Sequence, residues 1–162
     1  LRPLLYGGTG TRSMSDAQPD ELPERLESGT LNVVGLAGLH AALEFLHEIG
    51  LNRHKAHEQE LLGILIEGLQ RFPAVHMHGP LDAGRHGGAL SFTIDGHDPA
   101  TVGYRLDNEF DISVRVGLHC APDAHRTIGT FPQGTVRVSP GWFNTHADIE
   151  RLLKAVHALA AG

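Results

Sequence analysis

The residues best suited to chemistry lie between Ser113 and Pro122, where the chain's one cysteine, Cys120, stands among cationic side chains. Arg115 and His119 precede it, and His125 and Arg126 follow. A thiol reacts as its thiolate, a form that neighbouring cations favour. The run Ile112-Ser113-Val114-Arg115-Val116 alternates apolar and polar residues, which predicts a strand with one apolar face and Arg115 on the other. Gly117 ends that strand and places the thiol on a loop beside a sheet edge, where reactive groups are commonly mounted. Two readings follow. Cys120 is either a reactive thiol or a buried, inert one, since free cysteine is among the most buried residue types.

A second strand, Thr135-Val136-Arg137-Val138-Ser139, carries Arg137 on the face away from its valines. Strand parity puts Arg115 and Arg137 on the same sheet face, the one without helices. Two guanidinium groups there suit an anion, because each can grip a carboxylate through two hydrogen bonds. The alternative is a pair of solvated surface arginines. His76 and His78 share a strand face, but zinc wants three or four ligands, so no metal site is assigned.

The elements that would position these groups follow from periodicity and punctuation. Residues 7–30 read as a loop, opened by Gly7-Gly8-Thr9-Gly10 and kept irregular by Pro19 and Pro23. Leu36, Leu39, Leu43 and Leu46 mark one helical face, with Gly50 as its stop. A helix over about residues 53–72 presents Leu61, Leu62, Leu65, Leu69 and Phe72. Strands are predicted at 75–78 and 89–94. A helix opens at Asp98-Pro99 with Val102, Leu106 and Phe110 on its apolar stripe. Residues 121–134 read as a loop. Thr145 and Asp148 form a capping-box-like pair ahead of Ile149, Leu152, Leu153, Val156 and Leu159. Trp142 and Phe143 are expected to pack that last helix onto the sheet. Short strands mixed with helices predict an α+β two-layer sandwich, a small and mainly antiparallel sheet with helices on one face.

The chain has 162 residues, 41% of them hydrophobic and 20% charged, enough for one domain with a real core. A net charge of -6 argues against nucleic-acid binding, which needs a basic face. No apolar run has the ~18 residues that a membrane span needs. The lack of a signal-peptide pattern, and of a second cysteine for a disulfide, makes the cytoplasm the expected compartment. Leu1-Arg2-Pro3 opens without methionine, as a piece of a longer protein would.

Four segments in order resemble a known family. They are Pro3-Leu4-Leu5-Tyr6-Gly7-Gly8-Thr9-Gly10, Leu26-Glu27-Ser28-Gly29-Thr30-Leu31-Asn32, the Arg-x-Gly-x-His-Cys-Ala stretch at 115–121, and Gly134-Thr135-Val136-Arg137-Val138-Ser139-Pro140-Gly141-Trp142-Phe143-Asn144-Thr145. Together they resemble the carboxy-terminal small domain of pyridoxal-phosphate-dependent cysteine desulfurases, within the class V aminotransferases. The resemblance implies that Cys120 is the nucleophile, taking sulfur from L-cysteine as a persulfide and leaving alanine. It implies that Arg137 pairs with the substrate carboxylate, helped by Arg115, and that His119 stands beside the substrate. Thr30 would bond the cofactor phosphate of the neighbouring subunit in a homodimer, and Gly7 and Gly8 would shape that inter-subunit segment. On this reading residues 1–30 are an inter-subunit loop and 31–162 the small domain. The lysine that holds pyridoxal phosphate would lie in an amino-terminal large domain, because Lys55 and Lys154 are the only lysines here and neither has the family's His-Lys setting. This chain alone would then be inactive. A sulfur-acceptor protein is a further expected partner. Many relatives with a short cysteine loop carry two histidines before the cysteine, whereas this chain has Leu118-His119. A selenocysteine lyase, another class V activity, and a non-catalytic dimerisation or acceptor-docking module therefore stay open as alternatives.

Overall fold

The structure is a computed structural model that describes residues 1–12 and 14–161. Its backbone divides into two units, Leu1–Ile49 and Gly50–Gly162. The second unit is built on a four-stranded antiparallel sheet of β1 (Val75–His78), β2 (Leu90–Ile94), β3 (Arg115–Gly117) and β4 (Thr135–Val138), in the order β1-β2-β4-β3. Alternation along β2 decides its two faces: Leu90, Phe92 and Ile94 are buried, while Ser91 and Thr93 are half-buried. Register extends this across the sheet, pairing Phe92 with Met77 and with Val136, and Val136 with Val116.

Three helices cover the apolar face, namely α2 (Leu51–Leu69), α3 (Pro99–Phe110) and α5 (His146–Ala161). Leu61, Leu62, Leu65 and Leu69 of α2, Val102 and Leu106 of α3, and Leu152, Val156 and Leu159 of α5 join Phe92 and Val136 in one core. The expected α+β architecture is therefore the one observed. Two glycines set how closely the layers approach. A Cβ on Gly68 would lie 2.4 Å from Leu153 of α5, and one on Gly103 would lie 2.5 Å from Val116 of β3. No described helix by itself is long and apolar enough to cross a membrane.

The helix ends follow their sequence signals. Asp98 accepts hydrogen bonds from the N–H groups of Ala100 and Thr101, with Pro99 in the first turn. Thr145 and Asp148 cap α5 reciprocally: the Thr145 N–H donates to the Asp148 carboxylate at 2.8 Å, and the Asp148 N–H to the Thr145 hydroxyl at 3.3 Å.

Two expectations need correction. The alternating run from Ile112 joins the ladder only at Arg115, because its first residues terminate α3 instead. Asp111 turns left-handed at φ 55 and the Ile112 N–H closes onto the Leu106 carbonyl. Ile112 and Val114 still pack against the core. Trp142 packs against α2. It stacks on His54 of α2 at 5.9 Å and meets His57 edge-on at 5.4 Å, fastening the β4–α5 turn to α2, while Phe143 is exposed. The first unit holds the remaining long helix. There α1 (Val33–Ile49) has the predicted leucine stripe and buries none of it, and Leu36, Leu39 and Leu43 are all more than half exposed. The boundary between the units falls after α1, so that helix groups with the loop preceding it.

Candidate functional site

The cysteine loop begins where β3 stops, at Gly117 with φ 97. His119 and Cys120 then adopt φ values of 50 and 62, two successive left-handed residues with side chains. Each such residue costs about 1–2 kcal/mol, so the surroundings must hold the turn in place. Part of that hold is a backbone pinch at the base of the loop. Gly134, at φ 81, approaches Gly117 so closely that a Cβ there would lie 2.2 Å from the Gly117 carbonyl. Cys120 is exposed, which excludes the buried and inert reading.

Past the cysteine, the expected loop contains a short helix, α4 (Pro122–Thr127). Six residues are too few to show a period, but Pro122 in the first turn and Asp123 beside it were a usable start signal. His125 of α4 is buried, and its Nδ1 lies 2.7 Å from the Thr130 hydroxyl. Nothing in the sequence marked that histidine as buried.

Arg115 and Arg137 stand directly opposite each other in the β3–β4 ladder and share the sheet face away from the core. Like charges placed this way repel. Among the described residues neither guanidinium has a carboxylate within ion-pair distance, and the Arg137 Nε is buried without a hydrogen-bond partner. A buried donor left unpaired costs free energy that an arriving anion would recover. This face is not bare, however. Thr135, on the same side as Arg137, is fully buried, and His119 Nε2 lies 3.2 Å from its hydroxyl. Burial first, then the charges of Arg137, His125 and Arg115, hold the His119 pKa below the ordinary imidazole range. His119 therefore stands neutral at physiological pH, as a hydrogen-bonding group. His78, which bonds Thr93 at 3.0 Å, is lowered in the same way by burial and by His76 and His125. His76 bonds Asp95 at 2.8 Å, and among the described residues no group of three or more His, Cys, Asp or Glu side chains is placed to hold a metal.

The second unit thus pairs Arg115 with Arg137, sets His119 within reach of their charges, and carries Cys120 on the loop that follows β3. Gly7, Gly8 and Thr30 belong to the first unit, where the Gly29 N–H donates to the Gly8 carbonyl at 2.8 Å and sets Thr30, exposed, beside the glycine segment.

The site is an exposed thiol on a pinched loop that leaves β3, the strand whose Arg115 faces Arg137 of β4. Residues 1–152 match the family described as aminotransferase class-V, and the chain belongs to that family. It is 35% identical over 158 residues to "Probable cysteine desulfurase 2" of Mycobacterium leprae, covering 96% of this chain and 37% of that protein. Among solved structures it is similar to the apo cysteine desulfurase of Thermococcus onnurineus NA1, with TM-score 0.80 and 36% identity over 86% of this chain and 34% of that one. A sulfonic-acid form of the Escherichia coli cysteine desulfurase CsdA gives TM-score 0.81 at 28% identity, over 97% of this chain and 38% of that one. The chain spans between about a fifth and two fifths of the length of the relatives it matches.

The family implies pyridoxal phosphate generally. The two lysines, however, sit on exposed positions of α2 and α5, and α5 packs on the sheet face opposite the arginines. An amine to hold the cofactor's aldehyde is not among the groups around Cys120.

Proposed function

We propose that this chain is the carboxy-terminal domain of a cytoplasmic, pyridoxal-phosphate-dependent cysteine desulfurase, acting within a homodimer. The observation that carries the reading is an exposed Cys120, held left-handed on the pinched loop that leaves the strand of Arg115, which with its cross-strand partner Arg137 lacks a counter-ion. Arg137 takes the α-carboxylate of L-cysteine, and its buried, unpartnered Nε gives that carboxylate a desolvated donor. Arg115, more exposed, adds a second positive charge from the neighbouring strand. His119, kept neutral, contributes a hydrogen bond without adding to the repulsion between the arginines. Pyridoxal phosphate, held by a lysine elsewhere in the complete protein, supplies the electron sink for the reaction.

The Cys120 thiolate attacks the substrate sulfur. A sulfur–sulfur bond forms, the substrate's carbon–sulfur bond breaks, and its electron pair stays on the carbon, which takes up a proton and leaves as alanine. Cys120 is left as a persulfide for a sulfur-acceptor protein to collect. Thr30, Gly7 and Gly8 serve the cofactor phosphate across the subunit boundary, with residues 1–30 as the inter-subunit segment and 31–162 as the small domain, although α1 groups by its backbone contacts with the loop before it. The short span relative to the desulfurases and the uncovered leucine stripe of α1 both support a domain that works as part of a larger protein.

The test is intact-mass analysis of the full-length protein after exposure to L-cysteine. Wild type gains sulfur on Cys120 and releases alanine, and Cys120→Ser does neither. Alanine release by Cys120→Ser at the wild-type rate would refute the assignment.

A further inference from the structure

We propose that His125 is a positioning residue for Cys120, its buried imidazole locking α4 and thereby fixing where the thiol stands. This rests on the reading of Cys120 given above. Among the described residues the buried side chains are apolar, with two polar exceptions, His125 at 5% exposure and Thr135 at 0%. Both belong to the segment that carries the thiol into β4. An imidazole and a hydroxyl cost desolvation that leucine or valine of similar size would not, so their hydrogen bonds must return something other than packing.

What they return is an unbroken path from the thiol to the sheet. The Ala121 N–H, next to Cys120, donates to the Leu118 carbonyl at 2.8 Å, and the Ala121 carbonyl accepts from the His125 N–H at 3.2 Å. His125 is then tied to Thr130 twice, ring to hydroxyl at 2.7 Å and carbonyl to N–H at 2.9 Å. The Thr130 carbonyl in turn accepts from the Gly134 N–H at 2.7 Å, at the pinch that opens β4. A helix of six residues cannot sustain itself, so α4 depends on this anchor. The second arm is His119, whose ring lies 5.7 Å from that of His125 and which bonds Thr135. Between the two arms sits Cys120, in a backbone conformation that would relax if either arm let go.

The test uses the full-length holoenzyme and single-turnover sulfur uptake by Cys120. His125→Leu and Thr130→Val each slow uptake on the order of 10- to 100-fold, the penalty for a small misplacement of a reacting group. The KM for L-cysteine and the cysteine-induced change in cofactor absorbance stay at wild-type values. Thr130→Ser, which keeps the hydroxyl, restores the rate. The double variant is no slower than His125→Leu alone, because the two changes break one interaction. If His125→Leu fails to fold, the Thr130 pair decides. Wild-type uptake in Thr130→Val, or a Thr130→Ser variant as slow as Thr130→Val, overturns the proposal. Cys120→Ser run in parallel separates the two levels. If it still takes up sulfur, the thiol assignment itself fails. If it is inert while the other variants behave as wild type, only the role of His125 falls.

Discussion

The two faces of the sheet are made from the same strands and do opposite things. On the helix side Leu90, Phe92, Val136 and Val138 are buried among leucines and valines. On the other side Arg115, Arg137 and Thr135 come from the alternate positions of the same strands, and their arrangement repels or leaves donors unpaired. One residue's step along a strand separates stability from reactivity. The helix face stores the free energy that the arginine face draws on to keep two guanidinium groups together without a counter-ion.

If that division holds, matched substitutions on the two faces should act on different measurements. Phe92→Ala removes a fully buried ring from the centre of the core and should cost about 3–5 kcal/mol, read as a fall in the urea midpoint. Arg137→Leu, one strand over and on the other face, should leave stability within about 1 kcal/mol and raise it slightly, since it relieves a cross-strand repulsion and a buried orphan donor. In the full-length protein the same change should abolish alanine release from L-cysteine. A loss of stability in Arg137→Leu comparable to that of Phe92→Ala would break the comparison, because it would make the arginine a structural member of the sheet.

How much of this arrangement the sequence disclosed depends on whether a local rule governed it. Period two in Leu90–Ile94 and around Arg137 gave the sheet faces, and so the shared side of the two arginines, with no structure needed. Asp98-Pro99 and Thr145 with Asp148 announced the helix starts for the same reason, since a cap is a contact between near neighbours. What escaped was set by distant partners. Asp111 turning left-handed used up the first residues of the Ile112 run, and α4 was too short to show a period. The burial of His125 depends on Thr130 and on the pinch of Gly134 against Gly117, none of which a polar loop advertises. The stripe on α1 shows the other limit. Periodicity told which side of that helix is apolar and was silent on whether this chain covers it.

The smallest expected effect sharpens the comparison most, because it belongs to the arginine face alone. His119 and His78 have pKa values lowered in the folded protein, by burial first and by neighbouring positive groups second. In the unfolded chain they titrate near the ordinary value of about 6.5. Above that value both states are neutral at these positions and nothing is lost. As pH falls through it, the unfolded chain takes up protons that the folded one resists, so stability declines towards acid pH. His119→Gln, which can still hydrogen-bond Thr135 but cannot titrate, should flatten part of that decline in urea unfolding followed from neutral to acid pH. Val136→Ala, a change on the helix face of the same strand, should lower stability at every pH and leave the slope as it was. An acid slope unchanged in His119→Gln and in His78→Gln would mean that the cost of protonation does not reside on this face.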